Sequence, residues 1–415
     1  MKNSINLKQE IKNPSYLQSA TTLFLYFSSW GIWWAFFQIW LTNTLHMSGT
    51  QVGEIFSANS IITVILMTVY GGIQDKLDIK RGLLLVCSLT SVLVGPFFIF
   101  VYGPLLKSSF LVGLILGSLL LSMGFLAATA VYEALSERIS RRTHFEYGHA
   151  RMFGSLGYAV SAIFAGLIFS INPDLNFIAS SVLSLMLFLE LKYWYPDKDI
   201  KKEVNNSSPS IKDMFRVLKR IDVWKMIIFV MLSWTFYTVF DQQMFPGFYT
   251  KLFASPNAGE RIYGLLNSLE VFGESIMMIV IPYVMKKIGV RKTLLLGVTV
   301  MFIRIGGCGI AKSIIMISLV KMLHSIEVPL FMLAIIRYFT LHYDVKLSAT
   351  LYMVGFQIAA QVGQIILSTP LGILRDNLGY RSTFLFVAAI VFIAVIFGFF
   401  FIEKDDQNVG GDPLS

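Results

Sequence analysis

Apolar runs of about 20 residues recur along the whole sequence, and they constrain the fold more than any other feature. An α-helix of that length crosses a hydrocarbon layer of about 30 Å. The 415-residue chain is 55% hydrophobic and only 14% charged, whereas soluble domains carry about 25% charged residues. We therefore predict an all-α membrane protein. Twelve transmembrane helices are expected, at approximately 20–43, 52–74, 82–105, 109–135, 149–172, 175–195, 222–249, 261–285, 292–311, 313–340, 346–373 and 381–402.

The net charge of +9 comes mainly from short loops between the apolar runs. Cytoplasmic loops of membrane proteins are enriched in lysine and arginine. The pattern therefore predicts cytoplasmic termini and gives no reason to expect a nucleic-acid partner. No small-residue cleavage site follows the first run, which we expect to remain as a helix rather than act as a signal peptide. The basic loop residues are Lys76, Lys80, Arg81, Arg138, Arg141, Arg142, Lys286, Lys287, Arg291 and Lys292.

One long polar segment interrupts the apolar pattern in the middle of the chain. Residues 196–221 are rich in asparagine, serine and lysine, a composition typical of a loop. We expect an N-terminal six-helix half at 1–195, a cytoplasmic linker at 196–221 and a C-terminal six-helix half at 222–415.

The two halves resemble each other in their loops. Basic segments at 74–81 and 286–293 each follow the second span of a half and precede a leucine-rich run. Corresponding loops at corresponding places indicate a duplicated six-helix unit, hence two pseudo-repeats. In one known transporter plan, such parallel halves bind substrate near the membrane midplane.

Ionisable residues inside the predicted spans mark the candidate site, because charges are costly in lipid and usually line a pathway or a coupling site. The N-terminal half carries Glu133 and Arg151, although both could instead lie at the membrane interface. The C-terminal half carries many more, namely Asp241, Glu270, Glu274, Arg304, Lys321, His324 and Glu327.

The spacing of these residues groups them on helix faces. Lys321, His324 and Glu327 recur every third residue, so they fan over one face. Glu270 and Glu274 are one turn apart and also share a face. Two carboxylates in a low-dielectric cavity repel each other, which favours proton uptake by one of them. Ion pairing that only holds helices together is the alternative reading.

Aromatic residues are the second feature of the candidate site, after the ionisable residues. Sugar rings pack their C–H faces on aromatic rings, and their hydroxyl groups need charged or amide partners. Tyr158 lies two helical turns from Arg151, with Ser155 between them on the same stripe. Phe27 lies in a first span crowded with aromatic residues, most of which we expect to be packing or interfacial.

The sequence shows no nucleotide-binding loop, nucleophile–base set or metal-ligand cluster, so we expect neither an enzyme nor a bound metal or cofactor. Cys87 and Cys308 both lie in apolar runs and give neither a disulfide framework nor a metal-ligand spacing.

At these residues the chain resembles the oligosaccharide–proton symporters of the major facilitator superfamily, the lactose and sucrose permeases. The resemblance runs nearly end to end, and its most specific stretches are 145–154, 239–243 and 321–329. The basic loops also resemble that superfamily's loop motif. Asp78 replaces the usual glycine in the first copy, so a looser turn is expected there.

For the N-terminal half, the resemblance implies a sugar site. Arg151 matches the arginine that binds sugar hydroxyls, a role that suits a guanidinium fork. Glu133 matches its acidic partner. Tyr158 stands where lactose permease has a stacking tryptophan, and Ser155 where it has a cysteine. Phe27 is a further candidate contact.

For the C-terminal half, the resemblance implies proton coupling. Glu327 matches the carboxylate that carries the proton, and Arg304 the arginine that promotes its release. His324 matches a histidine that joins the sugar network. Asp241 and Lys321 match a charge pair between helices.

Besides Ser155 and Tyr158, the sequence departs from lactose permease in two further features. A second charge pair is replaced by Thr238 and Ala360, both neutral. The acidic sugar ligand of the eighth span falls on Val271, and either Glu270 or Glu274 could replace it. The neutral pair of Thr238 and Ala360, together with Ser155 and Tyr158, resembles the sucrose permease branch.

The resemblance predicts import of a disaccharide, sucrose above others, with a proton as coupling ion, by alternating access. Lactose, melibiose and raffinose are alternative substrates, and a proton-driven exporter or a sugar sensor are alternative functions. It also implies a multi-pass protein of the bacterial inner membrane that contacts lipid and works as a monomer.

Overall fold

The computed structural model describes residues 11–196, 216–343 and 350–405, and within these ranges the regular structure is entirely helical. The helices are α1 Pro14–Ile39, α2 Gly49–Leu77, α3 Gly82–Val92 with Val94–Ser108, α4 Phe110–Thr143, α5 Tyr147–Phe169, α6 Asp174–Tyr193, α7 Ile221–Thr250, α8 Pro256–Ile288, α9 Val290–Ile310, α10 Ile314–His342, and Thr350–Phe401, which contains α11 (350–378) and α12 (380–401).

These helices account for the twelve predicted spans, each of which overlaps one of them. In the described part of the chain, nine helices are long and apolar enough to cross a membrane, or ten if the two pieces of α3, bent by 43°, count as one span. That count includes Thr350–Phe401 as one helix, although Gly379, with φ 77°, divides this stretch into α11 and α12. Because lipid offers backbone groups no hydrogen bonds, helices are the expected way for such segments to span it.

Left-handed residues separate several consecutive helices. Gly289 between α8 and α9 has φ 89°, and His144 between α4 and α5 has φ 59°. Asp78 between α2 and α3 also has φ 59°, a conformation that aspartate tolerates better than most residues. The turn is closed rather than loose, since the Asp78 carboxylate accepts two hydrogen bonds from Arg142, at 2.7 and 2.8 Å.

The chain forms two compact units. The first comprises Met1–Trp40, Ile61–Ser208 and Ser255–Ser268, and the second comprises Leu41–Ser60, Pro209–Ala254 and Leu269–Ser415. Thus the start of α2 groups with the second unit and the start of α8 with the first. Residues 197–215, most of the predicted linker, lie outside the described residues, so the predicted domain limits stay a prediction.

Small residues bring α1 and α5 together in the first unit. A Cβ atom on Gly157 would clash with the backbone oxygen of Phe24, and one on Gly31 would lie 2.8 Å from Cδ2 of Tyr158. This close packing fixes α5, which carries Arg151, against α1.

Candidate functional site

Arg151, near the start of α5, is the centre of a polar group in the first unit. Its Nε donates to Oε1 of Glu133 on α4 at 2.6 Å, and its Nη1 donates to Oγ of Ser155 at 3.3 Å. The guanidinium carbon lies 4.3 Å from the ring centre of Phe27 on α1, a cation–π distance. About a third of each side chain of the Arg151–Glu133 pair is exposed, so the pair can be reached by a ligand.

Local sequence explains how three helices meet at this group. The turn at His144 folds α5 back beside α4, which brings Arg151 to Glu133. Gly154 leaves room for Phe27, because a Cβ atom there would lie 2.7 Å from Cδ2 of Phe27 and 3.0 Å from Nη1 of Arg151. The geometry of the group therefore depends on the turn at His144 and on Gly154, as well as on the charged residues themselves.

Tyr158 is placed two turns further along α5, and its ring packs against α1 at Gly31. It is half-buried. Trp33 on α1 is fully buried in contact with Phe98 and Phe125, which agrees with the packing role expected for most aromatic residues of the first span.

Five ionisable side chains of the second unit form a row in which the sign of the charge alternates. We call this row, in the order Glu327, Arg304, Asp241, Lys321 and Glu270, the alternating chain. Arg304 Nε lies 2.7 Å from Glu327 Oε1, and Arg304 Nη1 lies 2.9 Å from Asp241 Oδ1. Lys321 Nζ lies 2.7 Å from Asp241 Oδ1 and 3.0 Å from Glu270 Oε1. Two cations are thus held between three carboxylates.

Four helices supply this row: α7 gives Asp241, α8 gives Glu270, α9 gives Arg304 and α10 gives Lys321 and Glu327. Asp241 lies in a π-helical turn, Phe240–Met244, a feature frequent at functional sites. Four of the five side chains are at most 1% exposed, and Asp241 is 16% exposed. The sequence-predicted pair of Asp241 and Lys321 is therefore part of a larger network.

His324 borders the alternating chain. Its Nδ1 lies 3.8 Å from both Asp241 Oδ1 and Glu327 Oε1, while its Nε2 lies 3.7 Å from Glu274 Oε2. Sequence reasoning missed Tyr237, whose hydroxyl lies 3.0 Å from His324 Nδ1. Its position one turn before Asp241 on α7 was the signal that could have identified it.

The two glutamates of α8 have different environments. Glu270 is 1% exposed and pairs with Lys321, whereas 22% of the Glu274 side chain is exposed, beside His324. The positions of the missing second charge pair are both buried and neutral: Thr238 donates to the backbone oxygen of Trp234, and Ala360 is apolar.

Comparison with known proteins identifies the family. The model of the LacY proton/sugar symporter family matches residues 8–410. The sucrose permease of Escherichia coli is 41% identical over 96% of both chains. The raffinose permease of Escherichia coli is 33% identical over 94% of this chain and 93% of its own. The lactose permease of Klebsiella oxytoca is 31% identical over 88% of this chain and 89% of its own.

Solved structures show the same fold at low identity. The nucleoside transporter NupG has a TM-score of 0.80 at 14% identity and covers 94% of this chain and 99% of its own. A D-xylose-proton symporter has a TM-score of 0.66 at 13% identity, with 96% and 99% covered. The major facilitator fold expected from the sequence is thereby confirmed.

The membrane-spanning helices and the permease relatives make this chain a multi-pass inner-membrane transporter rather than an enzyme, and it belongs to the LacY proton/sugar symporter family.

Proposed function

We propose that the chain imports a disaccharide, with sucrose as the preferred substrate, together with a proton. The observation that carries the proposal is the alternating chain, because a buried row of charges with a histidine beside it is more than helix packing requires. The 41% identity to a sucrose permease over nearly the whole chain supports the substrate.

Arg151 and Glu133 bind the sugar from the first unit in this proposal. Their pairing holds the guanidinium in place, and its planar fork of N–H donors suits sugar hydroxyls. Phe27 lies against the guanidinium and offers an apolar ring to the sugar. Ser155 supports Arg151 from the same helix, and Tyr158 offers its exposed part as a stacking surface.

Glu274, rather than Glu270, is the acidic sugar ligand of α8 in this proposal. It is partly exposed and lies next to His324, which joins the same hydrogen-bonding set. Glu270 is enclosed and already engaged by Lys321. The two glutamates differ in exposure and in ion pairing, and this difference supports the choice of Glu274. The sequence alone leaves that choice open.

Glu327 holds the coupling proton, and Arg304 promotes its release. Both side chains are fully buried, with the ion pair at 2.7 Å. An ionised carboxylate is costly in such a place unless a cation accompanies it, so approach of Arg304 favours loss of the proton and its withdrawal favours proton binding. Asp241 and Lys321 keep the helices of this unit in register.

Membrane topology, alternating access and the working unit complete the proposed transport mechanism. Both termini are cytoplasmic. The six-helix halves at 1–195 and 222–415 alternate access to the substrate. A single chain in the lipid bilayer is the working unit, with no cofactor besides the proton.

A membrane potential of 100 mV supplies about 2.3 kcal/mol per charge, or roughly forty- to fiftyfold accumulation.

Uptake of labelled sucrose by right-side-out vesicles, with raffinose, melibiose and lactose as competitors, tests the substrate. The proposal expects uptake driven by an inward proton gradient, with unlabelled sucrose the strongest competitor. Stronger competition by a galactoside would replace sucrose as substrate. Outward movement under the same gradient would make the protein an exporter.

A further inference from the structure

Asn267 on α8 is a buried asparagine whose amide nitrogen lacks a partner. The residue is 7% exposed, and within the described part of the chain its Nδ2 atom has no hydrogen-bond acceptor. Asn176 on α6 shows the usual arrangement, because its Nδ2 donates to the backbone oxygens of Ile32 at 2.7 Å and Ala165 at 3.3 Å. A buried amide without a partner costs free energy. The Asn267 amide is therefore a candidate donor to a bound ligand.

The face of α8 that carries Asn267 is turned away from lipid. Each residue rotates an α-helix by about 100°, which places five exposed apolar residues of this part of α8 on the face opposite Asn267. They are 41–55% exposed and comprise Ile262, Leu265, Leu269, Phe272 and Ile276. Glu274, the proposed sugar ligand of α8, follows Asn267 by seven residues and so shares its face.

Packing of α8 against α5 brings Asn267 to the sugar group of the first unit. Ser268, the next residue, donates from Oγ to the backbone oxygen of Ala159 at 2.8 Å, and Ala159 follows Tyr158 in sequence. One turn earlier on α8, a Cβ atom on Gly264 would lie 2.8 Å from a backbone atom of α5. All of these residues belong to the first unit. Asn267 therefore lies close to the level of Tyr158 along α5.

We propose that Asn267 is a further sugar-binding residue, and that its amide N–H donates to a hydroxyl group of the substrate that Arg151 does not bind. The inference rests on the proposed uptake of a disaccharide. A hydroxyl oxygen accepts from an amide N–H, so the bound sugar supplies the partner that the protein lacks. A site built in this way rejects a sugar without that hydroxyl, because the buried amide then stays unpaired. Asn267 thus contributes to the choice among disaccharides.

Sucrose derivatives that each lack one hydroxyl group test the proposal, in competition with labelled sucrose for the purified protein. Removing one neutral hydrogen bond should weaken binding about two- to tenfold. We expect Asn267→Leu, which has a side chain of similar size without a donor, to bind sucrose more weakly by that factor. One deoxy derivative should bind wild type more weakly than sucrose by the same factor, yet bind the variant as well as sucrose does.

Ser275→Ala is the matched control on the same helix, because the Ser275 hydroxyl donates to the backbone oxygen of Val271 at 3.0 Å within α8. Every deoxy derivative should keep its wild-type affinity relative to sucrose in this control. A second measurement separates ligand binding from a structural role. Without sugar, Asn267→Leu should unfold at no lower temperature than wild type, because no hydrogen bond within the protein is lost.

Unchanged sucrose affinity in Asn267→Leu, or an equal loss for sucrose and every deoxy derivative, would overturn the proposal. A lower unfolding temperature of the sugar-free variant, or the same change of selectivity in Ser275→Ala, would also overturn it. Failure of the wild-type protein to bind sucrose would instead reject the proposed sucrose uptake. The two failures are thus distinguishable.

Discussion

Arg304 and Glu327 form an ion pair of 2.7 Å although neither side chain is exposed. Replacing the carboxylate by Ala removes the proposed proton carrier but leaves the proposed sugar-binding residues of both units in place. We expect Glu327→Ala to keep equilibrium exchange of sucrose and to lose uphill uptake. Parallel exchange and accumulation assays in vesicles check this, and an equal loss of both activities would remove Glu327 from the coupling role.

Arg151→Lys keeps the positive charge but loses the planar fork that contacts Glu133 and that we propose contacts the sugar. A hydrogen bond to a charged group contributes about 1.5–3 kcal/mol, so sucrose should bind about 10- to 100-fold more weakly. Equilibrium binding of labelled sucrose measures the effect. Arg141→Lys, at an exposed pair with Glu137, is the control. Unchanged affinity in Arg151→Lys would exclude direct sugar contact.

Arg142 and Arg141 are neighbours in sequence but lie in different environments. The Arg142–Asp78 pair is at most 10% exposed, whereas the Arg141–Glu137 pair is 52% and 39% exposed. Breaking a buried pair costs about 3–5 kcal/mol, while an exposed pair contributes about 0–1 kcal/mol. Thermal unfolding in detergent should show a much lower unfolding temperature for Arg142→Gln than for Arg141→Gln. Similar values would contradict the proposed role of Asp78 in closing its turn.

Two glycines provide a matched test of the α1–α5 contact. Gly157→Ala places a methyl group against the backbone oxygen of Phe24, which should destabilise the protein by about 1–3 kcal/mol. Gly72→Ala in α2 has open space around the new atom and should stabilise it by about 0.5–1 kcal/mol. Chemical unfolding in detergent measures both, and equal effects would argue against close packing of α1 and α5.

Much of the fold could be predicted from hydropathy alone, since the length of an apolar run decides whether it spans a membrane. The ends of the helices could not. The first span was expected from residue 20, yet α1 begins at Pro14, where Asn13 caps it by accepting from Ser15 N at 3.0 Å. Polar residues within the helix continue it beyond the apolar run.

The candidate site was predictable as a set of residues but not as a geometry. Helical spacing places Lys321, His324 and Glu327 on one face, but no pattern in the sequence indicates that Lys321 also reaches Glu270. That contact depends on how α8 and α10 align along their axes. Glu270 and Glu274 share a face of α8, so only tertiary packing distinguishes their environments.

The turn at Asp78 shows why substitution of a motif glycine is hard to interpret. The looser turn expected from the sequence does not form, because aspartate adopts the left-handed conformation itself and binds Arg142. That partner lies 64 residues away in sequence, and nothing in the motif indicates it.

Proton movement on addition of sugar tests the central claim most directly. In a weakly buffered suspension of cells or vesicles containing the wild-type protein, sucrose should make the medium more alkaline as protons enter with the sugar. Glu327→Ala should abolish this signal while exchange continues. If sucrose, lactose, melibiose and raffinose all leave the pH of the medium unchanged, proton-coupled disaccharide import is contradicted.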